Sequence, residues 1–388
     1  MIGSVALAVI LFDGGLRAER DAVRRALWAR ADARAPSGVA ITAAVVGLAA
    51  VLVFRVSWPQ GFLIGATVAS TDVAAVMSLL HLRKLDIHAR VSATLEVESG
   101  LNDPMAIFLT RAAWSSCCSA PTCRSVPRRW CCSRSRWAGG AVIGIGGGYL
   151  LLWLVNRLDT ASGLYPILAL AGALCLFGGA QTVGASGFLA VYLAGLIIGN
   201  HRHRATQVID RFLDGFAWLS QIVLFLMLGL LVTPSALMPM LLPSLAIAAV
   251  LILVARPIAV WLCLLPFRFS KRETLFIAWV GLRGAVPIYL AIIPVLAGAP
   301  GGPMFFSIAF IVVMVSLTVQ GWTIAPLARL LKLDLPPHET VPRLDIDLPT
   351  RLEADNAIAG ATGSSRARSR SAAASTRCRC RRPRGCWR

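Results

Sequence analysis

Seven consecutive residues, Glu98-Ser99-Gly100-Leu101-Asn102-Asp103-Pro104, bring two carboxylates, a hydroxyl, an amide and a proline into an otherwise apolar stretch. On a helix Ser99 and Asp103, four apart, share one face, and Glu98 and Asn102 share the adjoining one. Pro104 has no amide hydrogen, so the Gly100 carbonyl loses its helical donor and is expected to be a free acceptor beside Asp103. Carboxylates, a hydroxyl and freed carbonyls make a hard oxygen environment, which suits an alkali cation better than nitrogen or sulfur ligands would. Glu96 lies seven residues before Asp103 on the same face; it fits this cluster or, equally, a helix start where the dipole favours acids.

Three further ionisable residues stand in apolar surroundings. Asp72 ends Gly65-Ala66-Thr67-Val68-Ala69-Ser70-Thr71-Asp72, a run of small and hydroxyl residues poorly committed to helix, where an unwound turn would expose carbonyls. Arg256 precedes Pro257 within a long apolar run, and Arg283 sits in Gly281-Leu282-Arg283-Gly284-Ala285-Val286-Pro287, where Pro287 is expected to free the Arg283 carbonyl. A buried guanidinium needs a carboxylate. Glu98 is the first choice for Arg256, which leaves Asp103 free to titrate; Arg283 is expected to offset dipoles and fix a broken helix rather than touch an ion.

The elements that must position these groups are membrane spans. With 57% hydrophobic and 15% charged residues and a mean hydropathy of +0.70, the chain could not keep its apolar surface from water as one soluble globule. Apolar runs near the roughly 20 residues needed to cross a bilayer fall at 38–56, 61–81, 91–112, 139–156, 163–180, 184–200, 216–233, 239–265, 272–297 and 303–331. A shorter run, Met1 to Phe12, lacks the basic start and small-residue cleavage site of a signal peptide and is expected to be the tail of a longer helix. An ionisable group within a span costs at least a few kcal/mol, so Asp72, Glu96, Glu98, Asp103, Arg256 and Arg283 are all functional candidates.

Basic residues give the orientation. One set of alternate loops carries Arg17, Arg20, Arg24, Arg25, Arg30 and Arg34, then Arg83, Lys84 and Arg90, then Arg157, then Arg202, Arg204 and Arg211, then Arg268, Lys271 and Arg272; the other carries Arg55 and little else outside 111–138. By the positive-inside rule the first set, and the segment after Leu331, are cytoplasmic.

The formal charge of +19 does not call for nucleic acid. Six arginines without an acid lie in 111–138 and nine more follow Ser365, which leaves +4 for the rest of the chain. The same segments hold eight of the ten cysteines; only Cys175 and Cys263 lie elsewhere. With three lysines against thirty-five arginines the coding DNA is expected to be GC-rich, and a one-base slip in such DNA yields Arg, Cys, Ser, Pro and Trp. Residues 115–138 and 364–388 are therefore read as frameshift products rather than as thiolate metal sites. This gives a membrane domain at 1–332, the start of a cytoplasmic domain at 333–363, with a strand expected at 344–348, and an irregular tail at 364–388.

Thr71-Asp72, then Glu98-Ser99-Gly100-Leu101-Asn102-Asp103-Pro104, then Gly281-Leu282-Arg283-Gly284 resemble NhaP-type sodium or potassium:proton antiporters of the monovalent cation:proton antiporter superfamily. The bacterial potassium/proton members look most similar, also through Leu11-Phe12-Asp13-Gly14-Gly15 and Gly187-Phe188-Leu189-Ala190-Val191-Tyr192-Leu193-Ala194-Gly195. The resemblance implies an all-α polytopic membrane protein with an inverted repeat, two broken crossing helices and about eleven of the family's usual thirteen spans, the first two absent. It implies Asp103 as shared cation and proton carrier, Asn102 as its partner, Thr71 and Ser99 as oxygen donors, Glu98 as a second ligand or ion-pair acid, and Asp72 as an outer ligand. Electroneutral one-for-one exchange, a homodimer in the bacterial inner membrane with a cytoplasmic C-terminus, and no cofactor follow from the same resemblance.

Rival classes fit less well. Thr182-Val183-Gly184-Ala185-Ser186-Gly187 superficially suggests a channel filter but lacks a tyrosine-glycine continuation and a re-entrant pore helix. None of Lys84, Lys271 or Lys332 follows a glycine, so no phosphate loop marks an ATP-driven pump. A non-transporting receptor or scaffold is separated from a transporter by a flux assay.

Overall fold

The computed structural model describes residues 2–18, 35–83, 85–118, 133–159, 161–201, 203, 205–267, 269–299 and 301–335. The expected strand at 344–348, the tail at 364–388 and the middle of the arginine- and cysteine-rich segment at 115–138 lie outside them. Both edges of that segment are helical, since one helix continues through Cys118 and the next begins at Ser133.

The chain is built of helices: α1 Ile2–Arg17, α2 Ala35–Phe54, α3 Trp58–Val68, α4 Val73–Leu82, α5 Ala89–Cys118, α6 Ser133–Arg157, α7 Leu164–Thr182, α8 Gly187–Gly199, α9 Thr206–Leu230, α10 Pro234–Leu264, α11 Lys271–Trp279, α12 Ala285–Leu296 and α13 Gly302–Leu330. The one departure from an all-α chain among the described residues is a two-residue antiparallel bridge that pairs Asp86 with Leu335 and Ile87 with Asp334. Among the described residues, six spans are long and apolar enough to cross a membrane: the α3–α4 region Trp58–Leu80, Arg136–Arg157, α7, α9, α10 and α13. The helix α5 is not among them because Glu96, Glu98, Asn102 and Asp103 lower its hydropathy.

Two spans break in the middle for reasons local to their sequence. Between α3 and α4, Ser70, Thr71 and Asp72 carry short polar side chains that compete for backbone groups, and Asp72 Oδ1 accepts the Ala75 N–H at 3.1 Å, starting α4 as an N-cap does. Between α11 and α12, Val280 to Gly284 leaves the helix, where Gly281 and Gly284 weaken helix propensity. Pro287 falls in the first turn of α12, where no intrahelical bond is lost, so the expected freeing of the Arg283 carbonyl by a mid-helix proline is corrected. In α10, by contrast, Pro257 follows a π turn over Leu251–Ala255, the usual accommodation of a missing donor.

The two breaks meet. The Asp72 N–H donates to the Leu282 carbonyl at 2.8 Å, so each unwound segment satisfies part of the other. Among the described residues, the three largest apolar clusters hold the frame. One joins α1, α6, α7, α8 and α9 to α12 around Phe12, Phe188 and Ile209. A second packs α2, α3, α5, α10 and α13 around Leu63, Trp114 and Leu251. The third, with Leu95, Phe276 and Ile324, locks α4 and α5 against α11 and α13.

Candidate functional site

A cavity of about 600 Å³ is lined by Ser70, Thr71, Asp72, Ser99 and Asp103 and runs out to Asp13, Arg17, Leu85, Ile87 and Asp214. The Ser70 hydroxyl donates to Asp103 Oδ1, so the α3–α4 break meets the carboxylate of α5 directly. Asp72 is held from two sides, by the Ala75 N–H on Oδ1 and by the Gln221 amide of α9 on Oδ2.

The remaining polar residues of α5 face the break. Ser99 Oγ donates to the Thr71 carbonyl at 2.9 Å and accepts the Val73 N–H at 3.3 Å. Asn102 Nδ2 donates to Thr71 Oγ1 at 2.6 Å. Asn102 and Glu98 do not border the cavity; they stand on the adjoining face of α5. There Glu98 is gripped by Arg256, with Nη1 on Oε1 and Nη2 on Oε2 at 3.0 Å, a two-pronged pair whose side chains are 22% and 5% exposed. Arg256 lies flat against the second break, where a Cβ on Gly281 would come within 3.0 Å of its Cζ. Glu96 is exposed, accepts a bond from Ser92 at 3.1 Å and borders the same cavity as Asp103.

Arg283 is 1% exposed and has backbone partners. Its Nη1 donates to the carbonyls of Ala69 and, at 2.7 Å, Ser70. These are carbonyls at the C-terminal end of α3, where the helix dipole is negative, so the cation offsets that end and fixes the break.

The expectation of a free Gly100 carbonyl is corrected. Pro104 does remove its helical donor, but the Tyr192 hydroxyl of α8 supplies another at 2.9 Å, because a bare buried carbonyl is costly. Sequence reasoning also missed Ser70 and Gln221 as partners of the two carboxylates. The one signal for Gln221 was an amide in the middle of the apolar span Thr206–Leu230.

Gly284 makes a sharp test of this packing. A Cβ there would lie 2.9 Å from Asp72 Cβ and 3.0 Å from its Cγ. Gly284→Ala is expected to push the Asp72 carboxylate off Gln221 and to cost about 1–3 kcal/mol, as overpacking of a filled site does. Thermal unfolding of the detergent-solubilised variant reads the loss; an unchanged midpoint would show that the crossing has slack there.

The chain is similar to known proteins in sequence and in fold. A family model described as sodium/hydrogen exchanger, transmembrane, matches residues 1–330. The K(+)/H(+) antiporter NhaP2 of Shewanella baltica (strain OS223) is 48% identical over 338 residues, covering 87% of this chain and 58% of that protein. The K(+)/H(+) antiporter NhaP of Alkalimonas amylolytica is 48% identical over 346 residues, covering 88% and 60%. The chain thus spans about three fifths of the length of these curated relatives. Among solved structures, that of the sodium proton antiporter MjNhaP1 from Methanocaldococcus jannaschii superposes with a TM-score of 0.70 at 26% identity, covering 85% of each chain.

Proposed function

The chain belongs to the sodium/hydrogen exchanger family, and from that premise we propose that it exchanges K+ or Na+ for H+ across a bacterial inner membrane, one for one, with Asp103 as the shared carrier. The observation that carries this reading is the contrast between two acids of α5. Glu98 is neutralised by Arg256, whereas Asp103 borders the cavity with the Ser70 hydroxyl on Oδ1.

An empty, charged carboxylate within a span is expensive. Asp103 therefore crosses with a proton or with a cation, and the two compete. Ser70, Thr71, Asp72 and Ser99 supply oxygens around it, while Asn102 holds the Thr71 hydroxyl and Arg283 the unwound backbone at Ser70. The cavity runs toward Arg17, Leu85 and Ile87, which the positive-inside rule puts on the cytoplasmic side; this favours an inward-open state. About eleven spans, a cytoplasmic C-terminus and a homodimer of the intact protein complete the proposal. The Shewanella and Alkalimonas relatives are named K(+)/H(+) antiporters, which favours potassium.

Proton flux in everted vesicles, with K+, Na+ and Li+ added in turn, tests the reading. Cation-dependent release of protons is expected with K+ or Na+. The absence of any cation-dependent proton movement from a correctly inserted chain would overturn it.

A further inference from the structure

Trp279 ends α11 and Arg283 lies four positions on, so in an unbroken helix the Arg283 N–H would donate to the Trp279 carbonyl. The break opens that bond, and two side chains of α13 fill the gap. The Arg283 N–H donates to Ser316 Oγ at 3.2 Å, the Ser316 hydroxyl donates to Gln320 Oε1 at 2.5 Å, and Gln320 Nε2 donates to the Trp279 carbonyl at 2.7 Å. Ser316 and Gln320, four apart on one face of α13, are 0% and 1% exposed. The Trp279 indole Nε1 also donates to Thr323 Oγ1 at 2.9 Å, tying the same helix end to α13 a second time.

We propose that Ser316 and Gln320 are positioning residues for exchange, forming a side-chain relay that stands in for one missing helical hydrogen bond and holds the α11–α12 break open. The functional half of this inference rests on the exchange reading above. The relay matters because the open break does two things at once. It turns the Arg283 guanidinium onto the Ala69 and Ser70 carbonyls, and it leaves the Leu282 carbonyl for the Asp72 N–H. Were the break to wind into helix, the Arg283 N–H would return to Trp279, and the residues next to it would leave these positions. Buried polar groups without partners are costly, so removing either relay member leaves the Trp279 carbonyl or the Arg283 N–H to find another arrangement. The relay touches no ion; it acts through Arg283 and the backbone that carries Ser70.

The test compares Ser316→Ala and Gln320→Met with Ser316→Thr, which keeps a hydroxyl, in full chains that elute as well-folded protein. Two readouts are taken: amide hydrogen exchange of residues 280–284, and the cation dependence of proton flux in vesicles. Ser316→Ala and Gln320→Met are expected to speed exchange of those amides by roughly ten- to a hundredfold, the range that follows from losing a buried partner, while amides elsewhere in α13 keep their protection. Both should raise the cation concentration for half-maximal flux by roughly tenfold, with a smaller change in maximal rate; Ser316→Thr should stay near the unsubstituted chain in both. Unchanged amide protection in both variants would overturn the relay. Faster amide exchange with an unmoved cation dependence would overturn the positioning role. A chain that moves no cation even when unsubstituted would instead overturn the exchange reading and with it the positioning role, and the amide measurement would still decide the relay.

Discussion

Asp103→Asn is expected to abolish cation:proton exchange while leaving a folded, membrane-inserted protein. The asparagine keeps the volume and can still pair with the Ser70 hydroxyl that the carboxylate engages. What it loses is the charge that alternately holds a proton or a cation. Two other acids, Glu98 and Asp72, are already engaged. Glu98 is committed to Arg256, and Asp72 is engaged by Gln221 and by the Ala75 N–H that starts α4. Because the substitution removes a charge from a span, stability should be unchanged or higher. Flux in vesicles together with a thermal midpoint gives the two readouts; normal exchange by a well-folded Asp103→Asn protein would sink the mechanism.

The second large effect is on folding. Replacing Glu98 by alanine strands the Arg256 guanidinium at a site where its side chain is 5% exposed, and losing one partner of a buried pair costs about 3–5 kcal/mol. The guanidinium cannot easily turn elsewhere: its Nε has no partner among the described residues, and it lies against Gly281 in the second break. Damage should therefore spread to the α11–α12 crossing. The double replacement Glu98→Met with Arg256→Met, which removes both charges, is expected to recover most of the loss, since an apolar pair of similar volume is often neutral or better. Thermal unfolding of the two proteins checks this. Equal destabilisation of single and double variants would mean that packing, not charge, sets the cost.

What could be read from the chain itself followed from charge and from helix-breaking residues. Asp103, Glu98, Arg256 and Arg283 each stand out in an apolar run, and the Ser70-Thr71-Asp72 and Gly281–Gly284 stretches announce interrupted helices. Pro104 reveals that the Gly100 carbonyl loses a donor, but no local pattern reveals that Tyr192, from a helix distant in sequence, supplies another. Gln221, Ser316 and Gln320 were silent for a related reason: they are neutral, and they bond to partners across the fold, so neither charge nor periodicity marks them. Helix ends were the least legible. The helix α9 starts at Thr206 rather than in the apolar run at 216–233 because a polar, amphipathic turn can extend a span into the interface.

The central claim is that one carboxylate serves both ions, and competition tests it most directly. Exchange is measured in vesicles across a pH series at several cation concentrations. If cation and proton exclude each other at Asp103, raising the cation must move the acid limb of the activity profile to lower pH. By reciprocal linkage the shift approaches about one pH unit for each tenfold rise in a saturating cation. An acid limb that stays fixed as the cation is raised would contradict the account, because the proton would then be acting at a site the cation does not occupy.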